Sequence, residues 1–271
     1  MNSLLYSRGI GPKDGSEVHR CLIVHGIMGS SQNWLGAARR LSALSPSWSF
    51  RVLDLPGHGQ SSSTAQNPDL PSIAQKIFDT LNSESWRPTI LVGHSFGGKT
   101  MIELSSLYSE AALDVWLLDA PMSSEITVTG LSTIDTILDV VESLPEPTSR
   151  TTVQEAFQSA GLPESIAQWM TTNLRRTVEG FTWKIDPRFV RRALKDYLAR
   201  DYSAYLEDKP EAHRFHCVLA GRTNWWRGAE ERRLRRLEGL TLHTLPRAGH
   251  WLHIDDLDGL LKCFRVVYDL D

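Results

Sequence analysis

The chain has 271 residues, 41% of them hydrophobic and 23% charged, enough apolar content for one or two globular domains with a substantial core. Its net charge of −3 and pI of about 6.3 leave no global basic field that would mark a nucleic-acid binder. No apolar run approaches the ~20 residues needed to span a bilayer, and the first nine residues lack the apolar centre of a signal peptide.

Leu4-Leu5-Tyr6, followed by Gly11-Pro12-Lys13-Asp14-Gly15, reads as an antiparallel edge strand leading into a turn. Strand-like apolar runs then occur at 18–25, 50–55, 89–93, 115–119, 215–221 and 240–245. Helix-compatible stretches at 34–44, 73–81, 98–108, 230–237 and 255–268 lie between or after them. Continuous apolar strands alternating with helices predict an α/β fold, a mostly parallel sheet covered on both faces. The alternation stops between Pro121 and Ala212. That stretch shows no convincing apolar strand and offers helices at 132–143, 152–159, 164–173 and 187–197, with Pro145, Pro147, Pro163, Pro187 and Pro210 marking starts and breaks. The expected organisation is a core of residues 1–122 and 213–271, with residues 123–212 forming a helical lid inserted between two late strands.

Cys21, Cys217 and Cys263 are odd in number and match no metal-site spacing. They read as buried free thiols in a reducing intracellular compartment. That compartment is the cytoplasm, or a plastid or mitochondrion if a transit segment has been removed. No metal or organic cofactor is expected.

The chemistry concentrates in Gly93-His94-Ser95-Phe96-Gly97, at the end of the apolar run Thr89-Ile90-Leu91-Val92. A strand turning sharply into a helix holds the residue at the apex away from the backbone, and glycines are needed where strand and helix nearly touch. Ser95 at that apex is a nucleophile if a histidine and a carboxylate reach it. His250, in Arg247-Ala248-Gly249-His250-Trp251 after the last strand, is the expected base. His25, His58 and His94 each have a backbone role open to them, and His253 falls at the start of the final helix. Two places could supply the acid: Asp119, where the 115–119 strand ends before Ala120-Pro121, and the loop after 215–221, which holds no carboxylate before Glu230. Asp119 is favoured, with turn capping as its alternative. The oxyanion would take backbone N–H groups from Phe96 and from Ile27, in His25-Gly26-Ile27-Met28-Gly29. Asp54, in Asp54-Leu55-Pro56-Gly57-His58-Gly59, reads as a loop anchor rather than a catalytic acid. Gly97-Gly98-Lys99-Thr100 only echoes a phosphate loop.

These four segments, in this order, resemble the alpha/beta-hydrolase superfamily. Lys99 after the double glycine, Asp119 and Phe181-Thr182-Trp183-Lys184-Ile185-Asp186 narrow the resemblance to a small-esterase branch. That branch contains the ybfF-like bacterial esterases, the mitochondrial alpha/beta-hydrolase domain-containing protein eleven and plant relatives. It places the acid after the strand that follows the nucleophile helix, where Asp119 stands. Many other members place it in a later loop, here Gly221-Arg222-Thr223-Asn224.

The expected activity is serine hydrolysis of a small-molecule ester or thioester through an acyl-enzyme. The triad is Ser95, Asp119 and His250, and Ile27 and Phe96 hold the oxyanion. Two alternatives stay open: a ligand receptor on the same fold, and another hydrolysis such as that of a carbon–carbon bond. Met28, Met122, Trp183 and Leu252 are candidates for an apolar substrate pocket, against the alternative of plain packing. Eight cations stand between 175 and 200 against three acids, and six arginines between 222 and 236 against two glutamates. These runs read either as a basic rim for anionic substrates or as solvated helix faces.

Overall fold

A computed structural model describes residues 4–12, 17–61, 67–124, 131–223 and 229–270. The elements in chain order are β1 (Ser7–Ile10), β2 (His19–Val24), α1 (Leu35–Leu44), β3 (Trp48–Leu53), α2 (Leu70–Ser83), β4 (Ile90–His94), α3 (Phe96–Ser106) and β5 (Asp114–Leu118). Then come α4 (Leu131–Ser143), α5 (Arg150–Ser159), α6 (Glu164–Met170), β6 (Leu174–Arg176), β7 (Phe181–Trp183), α7 (Pro187–Ala199) and α8 (Ser203–Glu207). The chain closes with β8 (Arg214–Ala220), α9 (Ala229–Leu234), β9 (Leu240–Leu245), α10 (Leu252–Asp255) and α11 (Leu257–Tyr268).

Seven strands form one sheet in the order β1-β3-β2-β4-β5-β8-β9. Only β1 runs antiparallel, paired with β3, which makes it the expected edge strand. The turn residues 13–16 lie outside the described residues. The period-2 alternation of each strand divides the core in two. Leu22 and Val24 of β2, with Val115 and Leu117 of β5, pack among residues of α2, α3 and α7. Cys21, Ile23, Trp116 and Leu118 face the opposite layer, with residues of α1 and α11.

Parallel strands begin at one edge and end at the other. Ser95, Asp119 and His250 therefore follow β4, β5 and β9 on the carboxyl edge, where open α/β sheets hold their ligands.

Between β5 and β8 the chain forms α4 to α8, and α4 to α6 gather a third cluster with Leu138, Phe157, Met170 and Trp183 in it. α7 begins as Pro187 predicts: Asp186 is its N-cap and accepts from the amides of Arg188 and Phe189 at 3.0 and 3.1 Å. The hairpin β6–β7 corrects the expectation of a strandless insertion. Its strands are three residues each, too short for alternation to register, and the Thr177 amide closes the turn on the Gly180 carbonyl at 2.9 Å. The final helix is likewise split: the chain breaks at Asp256, which caps α11 by accepting from the Gly259 amide.

Cys21 and Cys217 are buried and Cys263 is half-buried. Burial raises the Cys21 thiol above its ordinary range and pushes that of Cys263 up to about 11.

Candidate active site

The Gly93–Gly97 turn is as tight as its glycines demand. A Cβ on Gly93 would collide with the Gly97 carbonyl, and one on Gly97 would lie 2.7 Å from both the Val24 and His25 carbonyls. Gly97→Ala should therefore destabilise the fold by about 2–3 kcal/mol. In a chain of this size that lowers Tm by roughly 5–10 °C in a thermal melt; an unchanged Tm would contradict the packing described. Ser95 sits at the apex with φ 52° and ψ −115°, a strained backbone for a residue with a side chain. Its amide donates to the Leu118 carbonyl at 2.9 Å, which ties the turn to the end of β5.

Asp119 also has a positive φ, 42°, and its side chain is fully buried. Its Oδ1 accepts from the Ala220 amide and the Thr223 hydroxyl, each at 3.2 Å. Its Oδ2 lies 2.8 Å from His250 Nδ1. A buried carboxylate satisfied on one oxygen by two neutral donors leaves the other aimed at the imidazole. With Nδ1 as the donor to Asp119, the proton-accepting nitrogen of the neutral His250 ring is Nε2. The alternative acid, Glu230, lies outside the described side chains, as does Asn224.

The other histidines hold backbone. His25 Nε2 accepts from the Leu55 amide at 3.1 Å, while its Nδ1 donates to the Gly26 carbonyl at 2.7 Å. His58 Nε2 accepts from the Met28 amide at 3.1 Å, and its Nδ1 donates to the Pro56 carbonyl at 2.9 Å. His94 Nε2 donates to the His250 carbonyl at 2.7 Å and so holds the backbone of that loop. Burial lowers all three: His25 to about 4, His58 to about 3 and His94 well below its ordinary value. Asp54 anchors its loop, with Oδ1 accepting from the Ser31 amide at 2.6 Å and Oδ2 from the Gln60 amide at 2.8 Å.

These neutral histidines set an acid limit. Free in the unfolded chain they titrate near 6.5, so below that pH the unfolded state binds more protons than the native one. Stability is complete above pH 6.5 and is lost as pH falls toward about 4 for His25 and about 3 for His58. The slope is up to ~1.4 kcal/mol per pH unit for each histidine. Denaturant melts across pH 4–8 should show this decline, and a flat profile would contradict it.

A cavity of about 450 Å³ opens beside Ser95 and His250. Of the expected site residues, Ser95, His250, Ile27, Phe96 and Met28 line it. Phe96 is the first residue of α3, so its amide has no partner within the helix. Met28, at φ 58°, is held from both sides: its amide donates to His58 and its carbonyl accepts from Asn173 Nδ2 at 3.0 Å.

Met122, Trp183 and Leu252 do not line the cavity and correct the expected pocket. Met122 is buried in the core beneath α3 and Leu252 in the opposite layer. Trp183 packs against Phe157 and donates from Nε1 to the Leu144 carbonyl at 2.7 Å. The wall is built instead from Ile134 and Ile137 of α4, Trp169 of α6, and Leu194 and Leu198 of α7. These pairs stand three and four residues apart, an apolar stripe at helical spacing that the sequence displays without saying what it faces. Trp169 approaches Trp251, the residue after His250, with ring centroids 5.5 Å apart.

Lys99, fully buried, donates from Nζ to the carbonyls of Ser123, Tyr197 and Arg200 at 3.3, 3.0 and 2.7 Å. It caps the C-terminal end of α7, where carbonyls lack helical partners and a cation is favoured. Tyr197 in turn stacks on Phe96 with centroids 5.4 Å apart. Lys99 and Phe96 thus join α3 to the α7 wall.

A family model described as "Alpha/beta hydrolase family" matches residues 21–262. The chain is similar to the sn-1-specific diacylglycerol lipase ABHD11 of Xenopus laevis, 26% identical over 258 residues, covering 92% of this chain and 80% of that protein. The mouse protein of the same name (Mus musculus) is 25% identical over 245 residues, 86% of this chain and 76% of that one. Among solved structures, a marine microorganism esterase superposes with a TM-score of 0.82 at 18% identity over 99% of both chains. The thioesterase domain from the curacin biosynthetic pathway gives 0.67 at 20% identity, over 97% of this chain and all of that one. The strand order, the turn at Ser95 and a family match spanning nearly the whole core lead to one conclusion: the chain belongs to the alpha/beta-hydrolase family.

Proposed function

We propose that this hydrolase cleaves a carboxylic ester or thioester through an acyl-enzyme on Ser95. The observation that carries the reading is the 2.8 Å contact of Asp119 Oδ2 with His250 Nδ1, at the cavity that also exposes Ser95 to a ligand. With Nδ1–H engaged, His250 Nε2 takes the Ser95 hydroxyl proton as Oγ bonds to the acyl carbon. The Ile27 and Phe96 amides stabilise the oxyanion, and Asp119 stabilises the imidazolium. Collapse breaks the acyl C–O or C–S bond, and the proton on Nε2 passes to the departing alkoxide or thiolate. Water then repeats the sequence: His250 takes its proton, its oxygen bonds to the acyl carbon, and Ser95 leaves carrying that proton. No step calls for a metal or organic cofactor.

In this reading the segment from α4 to α7 serves as the lid, closing an apolar pocket over the acyl carbon. The relatives named diacylglycerol lipases support a small neutral ester as substrate. Three cysteines, an odd number with two of them buried, support a reducing compartment.

The test is a panel of p-nitrophenyl esters and acyl thioesters, run with and without a fluorophosphonate. Turnover that the reagent abolishes, with its phosphonyl group found on Ser95 by peptide mass spectrometry, is the expected result. Turnover that survives complete labelling of Ser95, or no reaction with the reagent at all, would overturn the proposal.

A further inference from the structure

The basic stretch 175–200 raises a question of substrate charge, and the packing of its cations answers it. Arg191 reaches from α7 to Asp135, Asp139 and Glu142 of α4, at 3.3, 2.8 and 3.3 Å. Arg200 pairs with Asp196 at 2.7 Å and Glu103 at 3.6 Å. Lys184 donates to the Thr172 carbonyl at 3.0 Å, and Arg175, Arg176, Arg188, Arg192 and Lys195 are exposed. Lys99 donates to the Tyr197 and Arg200 carbonyls at the end of α7 and to the Ser123 carbonyl. Among the described residues, no Lys, Arg, Asp or Glu lines the cavity beside Ser95.

We infer that the acyl site is selective by charge: it takes an uncharged apolar acyl chain against α4, α6 and α7, and rejects one that ends in a carboxylate. The inference rests on the serine-hydrolase reading and narrows its substrate class. Helices α4, α6 and α7 line the cavity with Ile134, Ile137, Ile166, Trp169, Leu194 and Leu198, and their polar contributions, Thr133, Ser165 and Tyr197, are uncharged. A carboxylate pressed against this lining would lose its water and find no cation, which is the most unfavourable way to bury a charge. Apart from His250, whose charge in the reaction faces Asp119 and the reacting atoms, the histidines of the cavity do not supply one. His25 Nε2 already accepts from an amide, a bond that a protonated ring could not make. His94 is held to a backbone carbonyl, and burial lowers both rings and His253.

The same cations join the helices of the wall. Arg191 ties α7 to α4, and Lys99 ties α7 to the nucleophile helix, so the apolar stripes of both helices stay turned to the cavity. The basic residues stabilise an apolar pocket rather than furnish an anion site.

The experiment compares three p-nitrophenyl monoesters of equal acyl backbone at pH 7.5: hexanoate, the neutral amide 5-carbamoylpentanoate, and adipate with its free carboxylate. The expected kcat/KM for hexanoate exceeds that for adipate by about 100-fold or more, with the amide between them. Ile134→Arg, at a half-buried position on α4, should narrow the hexanoate-to-adipate ratio by about tenfold or more by giving the carboxylate a partner. Adipate turned over within about tenfold of hexanoate by the parent protein would overturn the charge selection and leave the hydrolase reading intact. Failure of all three esters together with no fluorophosphonate labelling would instead remove the hydrolase reading beneath it. The measurement on the parent protein decides the matter even if the arginine variant fails to fold.

Discussion

Ser95→Ala is expected to lower kcat/KM for any ester that the parent hydrolyses by about 10⁴-fold or more, while Tm stays within a few degrees of the parent. The fold should tolerate the change because what holds the apex is backbone. The Ser95 amide donates to the Leu118 carbonyl, and its carbonyl accepts from the Gly98 amide at 2.8 Å. Alanine keeps the Cβ that the φ of 52° already accommodates. The loss should fall on kcat, since the cavity wall and the Ile27 and Phe96 amides remain. Steady-state kinetics beside a thermal melt check both parts. Activity near that of the parent in a folded Ser95→Ala protein would sink the nucleophile assignment.

Asp119→Asn should cost a comparable factor, about 10⁴-fold in kcat, by a different route. Asparagine matches aspartate in shape, and its carbonyl oxygen can still accept from the Ala220 amide and the Thr223 hydroxyl. Its NH₂ group then faces His250 Nδ1 and can only donate. The ring must shift its proton to Nε2, the atom that has to receive the Ser95 proton, and the base is blocked. Fluorophosphonate labelling should slow in parallel, because it uses the same activated Ser95. A Thr223→Val protein separates orientation from tautomer. It removes one donor to Oδ1 and leaves the Oδ2 contact, so its loss should be about tenfold or less. If Asp119→Asn were silent, another carboxylate would have to serve His250.

Much of this was legible in the sequence because it rests on local geometry. Gly93, Gly97 and Gly98 announce a turn where no Cβ fits, and that turn fixes Ser95 at its apex. Continuous apolar strands separated by amphipathic helices imply a parallel sheet covered on both faces, and parallel strands bring Ser95, Asp119 and His250 to one edge whatever their separation in the chain. Asp54, His25 and His58 were readable as loop anchors because short polar side chains in glycine-rich loops bond nearby backbone.

The pocket was not legible. Met122, Trp183 and Leu252 have the right chemistry and neighbour the right motifs, yet each packs into a core cluster instead. Side-chain type predicts burial, but which surface a buried side chain meets depends on how separate helices pack.

The sequence by itself determined the sheet, the sharp turn and the serine at its apex, because each follows from spacing within a few residues or from strand direction. Only the tertiary structure decided three things. It bonded Asp119 to His250, 131 residues away. It set Lys99 on the last carbonyls of α7. It set Arg191 against the acids of α4 and turned Ile134, Ile137, Leu194 and Leu198 toward the cavity. The reason is common to all three: a periodic pattern gives each helix an apolar face, but what that face meets is settled by contacts between segments far apart in the chain.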